Sequence, residues 1–152
     1  MNAEFVNPFL ESANLVFKDL LGLTLLRGKT TIKTNPIPER DIAILIGVNG
    51  KVGGQVIYSM NIETVYKIVR KLMPGIEHAA IKDEYRDILG ELANMITGNA
   101  LNIFLTNNTD LDVTVPMVAD ARSGELQFKD QQTLGLNMYS RFGMLEVNIA
   151  LK

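Results

Sequence analysis

Two polar sets recur in this sequence at a fixed separation. Glu11 and Asn14 are matched by Glu91 and Asn94, Ala13 by Ala93 and Pro36 by Pro116, each pair 80 residues apart, so that both copies read Glu-x2-Asn-x21-Pro. A spacing of three places the carboxylate and the carboxamide on one face of a helix. The face continues as Asn7, Glu11, Asn14, Lys18 in the first copy and Asp87, Glu91, Asn94, Gly98 in the second. Both rows avoid the apolar stripe of their own segment. Asn is a mediocre helix former, and Gly costs about 1 kcal/mol relative to Ala in a helix interior. Gly98 is therefore there either for clearance toward a partner or for close packing on a neighbour. A carboxylate with a carboxamide is a weak toolkit against an unactivated ester or amide. It suffices where the substrate is already reactive and only a water must be placed. An aspartyl phosphate is such a substrate: the carboxamide oxygen accepts a hydrogen bond from water and holds it in line with phosphorus. The nearby Glu can anchor the partner, for instance by pairing with a lysine.

Other chemistries find little support. Cysteine is absent, which removes disulfides and thiolate catalysis and fits a reducing compartment. The single histidine, His78, sits beside the Pro74-Gly75 break and reads as a surface loop residue. No Gly-x-Ser-x-Gly, His-Glu-x-x-His or phosphate-loop pattern occurs. Asp83, Glu84 and Asp87 open a helix, where acids complement the macrodipole, and no metal site is assigned to them. A net charge of −2 argues against nonspecific nucleic-acid binding. The longest apolar stretch, Ile42 to Val48, is far short of the roughly 18 residues a membrane span needs. The first residues lack a basic head and an apolar core, so a cytoplasmic protein is expected.

The elements that must position these rows follow from periodicity. Val6, Leu10, Ala13, Phe17 and Leu20 predict a helix over 4–21, stopped by Gly22. Strands are expected at 23–34, 41–48 and 51–59, as a three-strand antiparallel unit with a two-residue Asn49-Gly50 hairpin turn. Asn61 is a candidate cap for a helix through Leu72, which ends at Pro74-Gly75. The longest helix is expected over 81–105, followed by strands near 111–119, 133–140 and 144–151, with a turn at Ser123-Gly124. Grouped rather than alternating elements indicate an α+β fold with a largely antiparallel sheet. At 152 residues the chain reads as one domain, 1–152. Its half-repeats, about 1–75 and 80–152, suggest an internal duplication about a pseudo-twofold axis. A free edge strand would be a natural dimer contact.

The run Asp87-x3-Glu91-x2-Asn94-Met-Ile-x-Gly98, with Pro116 downstream, closely resembles the signature of the CheC, CheX and FliY chemotaxis phosphatases. Asn7-Pro8-Phe9-Leu10-Glu11 and the length resemble the CheX members in particular. This resemblance implies an α+β fold with paired long helices on a sheet, a homodimer, and hydrolysis of the aspartyl phosphate of a CheY-like response regulator in two-component signalling. It implies that Glu91 engages the regulator's lysine and that Asn94 enters the regulator's site to orient the attacking water. Asp87 and Gly98 are supporting or regulator-contacting candidates. Glu11 and Asn14 are a candidate second pair, although Lys18 crowds the place that Gly98 leaves open. No cofactor of the chain's own is implied, since magnesium would be held by the phosphorylated regulator. No nucleic acid or membrane is implied as a partner. The competing reading is a non-catalytic module that binds a receiver domain or joins the flagellar switch.

Overall fold

The amphipathic pattern at the start of the chain forms α1 (Ala3–Val16), which runs on into a π-helical turn over Phe17–Leu21. Gly22, at φ 65°, closes it in the left-handed conformation expected of a stop. The structure, a computed structural model, describes residues 3–151; Met1, Asn2 and Lys152, which the expected domain 1–152 includes, lie outside the described residues. The remaining elements are β1 (Leu26–Lys33), β2 (Ile42–Gly50), β3 (Gly54–Met60), α2 (Ile62–Leu72), α3 (Ile81–Thr106), β4 (Leu111–Val113), β5 (Met117–Asp120), β6 (Thr133–Ser140) and β7 (Gly143–Leu151). No described helix is long and apolar enough to cross a membrane.

The described strands make one sheet in the order β1-β6-β7-β3-β2-β4, with β5 also on β2, and every pairing is antiparallel. The α+β class with a largely antiparallel sheet is therefore what the element order foretold. The order is symmetric about the β7–β3 pair, with β6 mirroring β2 and β1 mirroring the β4/β5 edge. Because side chains alternate along a strand, one face carries Ile44, Ile46, Val56, Tyr58, Leu136, Val147 and Ile149 into the core beneath α1 and α3. Phe9 of α1 and Phe104 of α3 meet within that core, ring centroids 5.7 Å apart.

Three expectations are corrected. The unit β1-β2-β3 does not form, because β1 pairs with β6 at the far edge while only β2 and β3 make a hairpin. The hairpin turn is not Asn49-Gly50: these residues pair with Asp112 and Leu111 of β4, and the chain reverses between Val48 and Gly54. Gly54, at φ 150°, is required there, since a Cβ would collide with the Ala150 carbonyl oxygen. Asn61 supplies no side-chain cap to α2; Asp41 does so from a distance, its Oδ2 accepting the Ile62 N–H at 2.9 Å.

The distant placement of β1 requires residues 34–41 to cross the outer face of the sheet, and a buried polar anchor holds them there. Glu146, 2% exposed, accepts hydrogen bonds from the Glu39 N–H (3.2 Å) and from Asn148 Nδ2 (2.9 Å), and Asn148 Nδ2 also donates to the Pro36 carbonyl (3.3 Å). Lys33 and Arg40 approach Glu146 only to 3.9 Å. The second crossing, 121–132, is held in the same manner: Gln55 Nε2 donates to the Lys129 carbonyl at 2.9 Å and Leu126 packs on Ala43 and Ile57. If the anchor is the hydrogen bonding of Glu146, Glu146→Ala will cost about 2–3 kcal/mol, as expected for buried bonds to a charged acceptor. Lys33→Ala, which removes a long and partly exposed pair, will cost under about 1 kcal/mol. Urea denaturation of the two variants measures the difference.

Candidate active site

The long helix α3 buries Leu89, Leu92, Ala93, Ile96, Thr97, Ala100 and Phe104. That stripe fixes the rotation of the helix about its axis and turns Asp87, Glu91, Asn94 and Gly98 outward as one exposed row. The same holds on α1. Residues 11–18 and 91–98 show an identical succession of exposed and buried side chains, so Glu11, Asn14 and Lys18 face solvent as Glu91, Asn94 and Gly98 do. The two rows do not meet. Glu91 and Asn94 line a depression of about 480 Å³ with Asp87, Arg86, Gly90, Val115, Pro116 and Val118. Glu11, Asn14 and Lys18 line a separate groove of about 660 Å³ between α1 and α3, closed on its far side by Asn99, Asn102 and Ile103.

Among the described residues, Asp87 and Glu91 have no ion-pair partner within 4.0 Å, and Asn94 has no side-chain hydrogen bond. The cation next to them is already committed. Arg86 pairs with Glu125 at 3.2 Å, donates to the Val118 carbonyl at 3.4 Å, and lies 5.8 Å from the Tyr85 ring centroid. The Glu125 bond, then Tyr85, hold its guanidinium above the ordinary arginine range. Arg86 therefore leaves the two acids unneutralised. An exposed carboxylate pair with a carboxamide one turn away offers anchorage to an incoming ammonium group and an acceptor for a water proton. Among the described residues, no three His, Asp or Glu side chains come together as a set of metal ligands.

Gly98 presents open space: a Cβ there would have no heavy atom within 4 Å beyond the helix itself. Of the two readings of this glycine, close packing on a neighbour is excluded among the described residues. Gly90, one residue before Glu91, is equally open and was not singled out by the sequence pattern. Arg86 and Val115 were also missed. His78 is exposed as expected, with Nδ1 2.8 Å from Arg70 and its ring edge-on to Tyr66.

Fold and site together define a CheC-like α+β domain that displays a Glu–Asn pair on its longest helix. A CheC-like superfamily protein from Shewanella sp. PV-4 superposes with a TM-score of 0.86 at 28% identity, over 100% of this chain and 99% of that one. The family model for the chemotaxis phosphatase CheX matches residues 42–136. The matched span contains Asp87, Glu91, Asn94, Gly98 and Pro116 and excludes Glu11 and Asn14. Over 123 residues the sequence is 31% identical to the CheY-P phosphatase CheX of Thermotoga maritima, covering 80% of this chain and 79% of that protein. The complex of CheX and CheY with BeF3 and Mg2+ from Borrelia burgdorferi contains a chain of similar structure, with a TM-score of 0.78 and 25% identity over 97% of each chain. The chain belongs to the CheX family of chemotaxis phosphatases.

A glycine with open space around it is a pure loss to the helix. Gly98→Ala will stabilise the fold by about 0.5–1 kcal/mol, read from urea denaturation. A destabilised variant would reveal a packing contact at this position.

Proposed function

We propose that this protein hydrolyses the aspartyl phosphate of a CheY-like response regulator. The single observation that carries the reading is the presentation of Glu91 and Asn94, solvent-exposed and without a partner among the described residues, on one rigid helix face. The activity in the name of the Thermotoga relative and the CheY partner in the Borrelia complex support it. In this proposal Glu91 pairs with a lysine of the regulator, which sets the depth and angle at which α3 docks. Asn94 then enters the regulator's site, and its carboxamide oxygen accepts a hydrogen bond from one water. That water attacks phosphorus opposite the acyl oxygen; the new P–O bond forms as the acyl P–O bond breaks, releasing inorganic phosphate and the regulator's free carboxylate. Catalysis is positional, since the acyl phosphate is already activated and the chain supplies orientation. Magnesium belongs to the regulator and is carried in with it. Asp87, one turn before Glu91, adds negative charge that favours approach of the lysine, and Gly98 leaves clearance at the far end of the row. The row on α1 is assigned no catalytic part here: Lys18 projects where Gly98 is open.

A homodimer completes the proposal. Among the described strands β1 is a free edge, with Leu26 65% and Ile32 73% exposed, and such an edge favours pairing with a second copy. Ile32→Lys is expected to convert the dimer to monomer in sedimentation velocity, and an unchanged sedimentation coefficient would place the contact elsewhere.

Asn94→Ala is expected to fold normally, with stability within about 0.5 kcal/mol of the parent because the residue is exposed, and to lose stimulated dephosphorylation of the regulator. Glu91→Ala is expected to raise the half-saturating concentration of phosphorylated regulator. Full activity in Asn94→Ala would refute the mechanism.

A further inference from the structure

Across the depression from Glu91 and Asn94 stands the segment joining β4 to β5, in which Thr114 and Val115 are exposed. Val115 is 81% exposed. Isolated exposed apolar residues are commonplace on protein surfaces, but this one stands on a backbone held in place. Thr114 is tied to β2 twice: its N–H donates to the Gly47 carbonyl at 2.9 Å, and its Oγ1 accepts the Gly47 N–H at 2.8 Å. The ring of Pro116 restricts the residue after Val115, and the Val118 carbonyl is bonded to Arg86 of α3 at 3.4 Å. The segment is thus fixed on both sides of Val115, and little conformational freedom remains to be lost on binding. Since Val115, Pro116, Glu91 and Asn94 line one depression, a body that seats itself on Asn94 meets Val115 as well.

We infer that Val115, backed by Pro116, is an apolar docking contact for the phosphorylated regulator. It would meet an uncharged, apolar part of the regulator's surface beside the acyl phosphate. The inference rests on the phosphatase reading and adds a second anchor to it: Glu91 supplies a charged contact on one wall of the depression, Val115 a desolvated one on the other. The occupant is the same receiver domain, because the surface is continuous with the catalytic row. Division of labour follows. Asn94 acts on the chemical step, whereas Val115 contributes to binding in ground state and transition state alike and so governs saturation rather than turnover.

The test is the initial rate of phosphate loss from the organism's CheY-like regulator as a function of its concentration, for the parent, Val115→Asp, Val115→Ile and Asn94→Ala. Val115→Asp places a charge in the contact and is expected to raise the half-saturating concentration about tenfold, with maximal turnover unchanged and a native circular-dichroism spectrum. Val115→Ile is expected to match the parent. An unchanged half-saturating concentration in Val115→Asp, with Asn94→Ala inactive, would overturn the docking contact and leave the phosphatase reading standing. A fall in maximal turnover alone would overturn it too. Activity in Asn94→Ala would instead remove the phosphatase reading itself.

Discussion

The site depends on one constraint: α3 has a single way to lie on the sheet. Leu89, Leu92, Ala93, Ile96, Ala100 and Phe104 must all leave water together, and a helix that buries such a stripe has no rotational freedom left. The outward direction of Asp87, Glu91, Asn94 and Gly98 is therefore a by-product of core packing. Among the described residues, no side-chain hydrogen bond aims Asn94. A residue that must enter another protein's site is better left without a partner of its own, because breaking an internal bond would be charged against docking. Rigidity comes instead from the helix, which is 26 residues long and packed against α1 through Phe9 and Phe104.

The sheet supplies the second wall. With the described helices on one face, the long connections 34–41 and 121–132 pass over the other, and each is anchored by a polar side chain projecting from a central strand, Glu146 or Gln55. The latter crossing leads away from the short strands β4 and β5, whose pairing with β2 brings Val115 and Pro116 alongside α3. Position at the site is thus transmitted from two directions, through the core to Asn94 and through β2 to Val115. Arg86 joins them, bonded to the Val118 carbonyl and to Glu125.

Much of this was legible in the residues. The 3.6-residue periodicity located α3 to within a residue at its C-terminal end, and β6 falls at the expected 133–140. The repeated Glu-x2-Asn at an interval of 80 found two helix faces that prove equivalent in burial. What failed was what depends on partners distant in the chain. Asn49-Gly50 carries a strong hairpin signal, yet the β4 ladder claims both residues. Asn61 is a good cap by type, but the side chain that bonds a first-turn N–H of α2 is that of Asp41. The strand pattern of β1 says nothing of its neighbour, which is β6, a hundred or more residues away in the chain. Gly98 could be read either way until the space around it was known. Val115 was invisible, because an exposed valine in a broken strand has no periodic context and matters only through what stands opposite.

The claim that this chain turns over a phosphorylated regulator, rather than only holding it, is tested most directly by following the decay of phosphate on a purified CheY-like receiver from the same organism, with magnesium and with this protein at a small fraction of the receiver concentration. The expected result is accelerated decay continuing over many equivalents of phosphate per equivalent of protein. Unchanged or slowed decay on every receiver the organism encodes would contradict it, and would make the displayed Glu–Asn row a binding surface without catalysis.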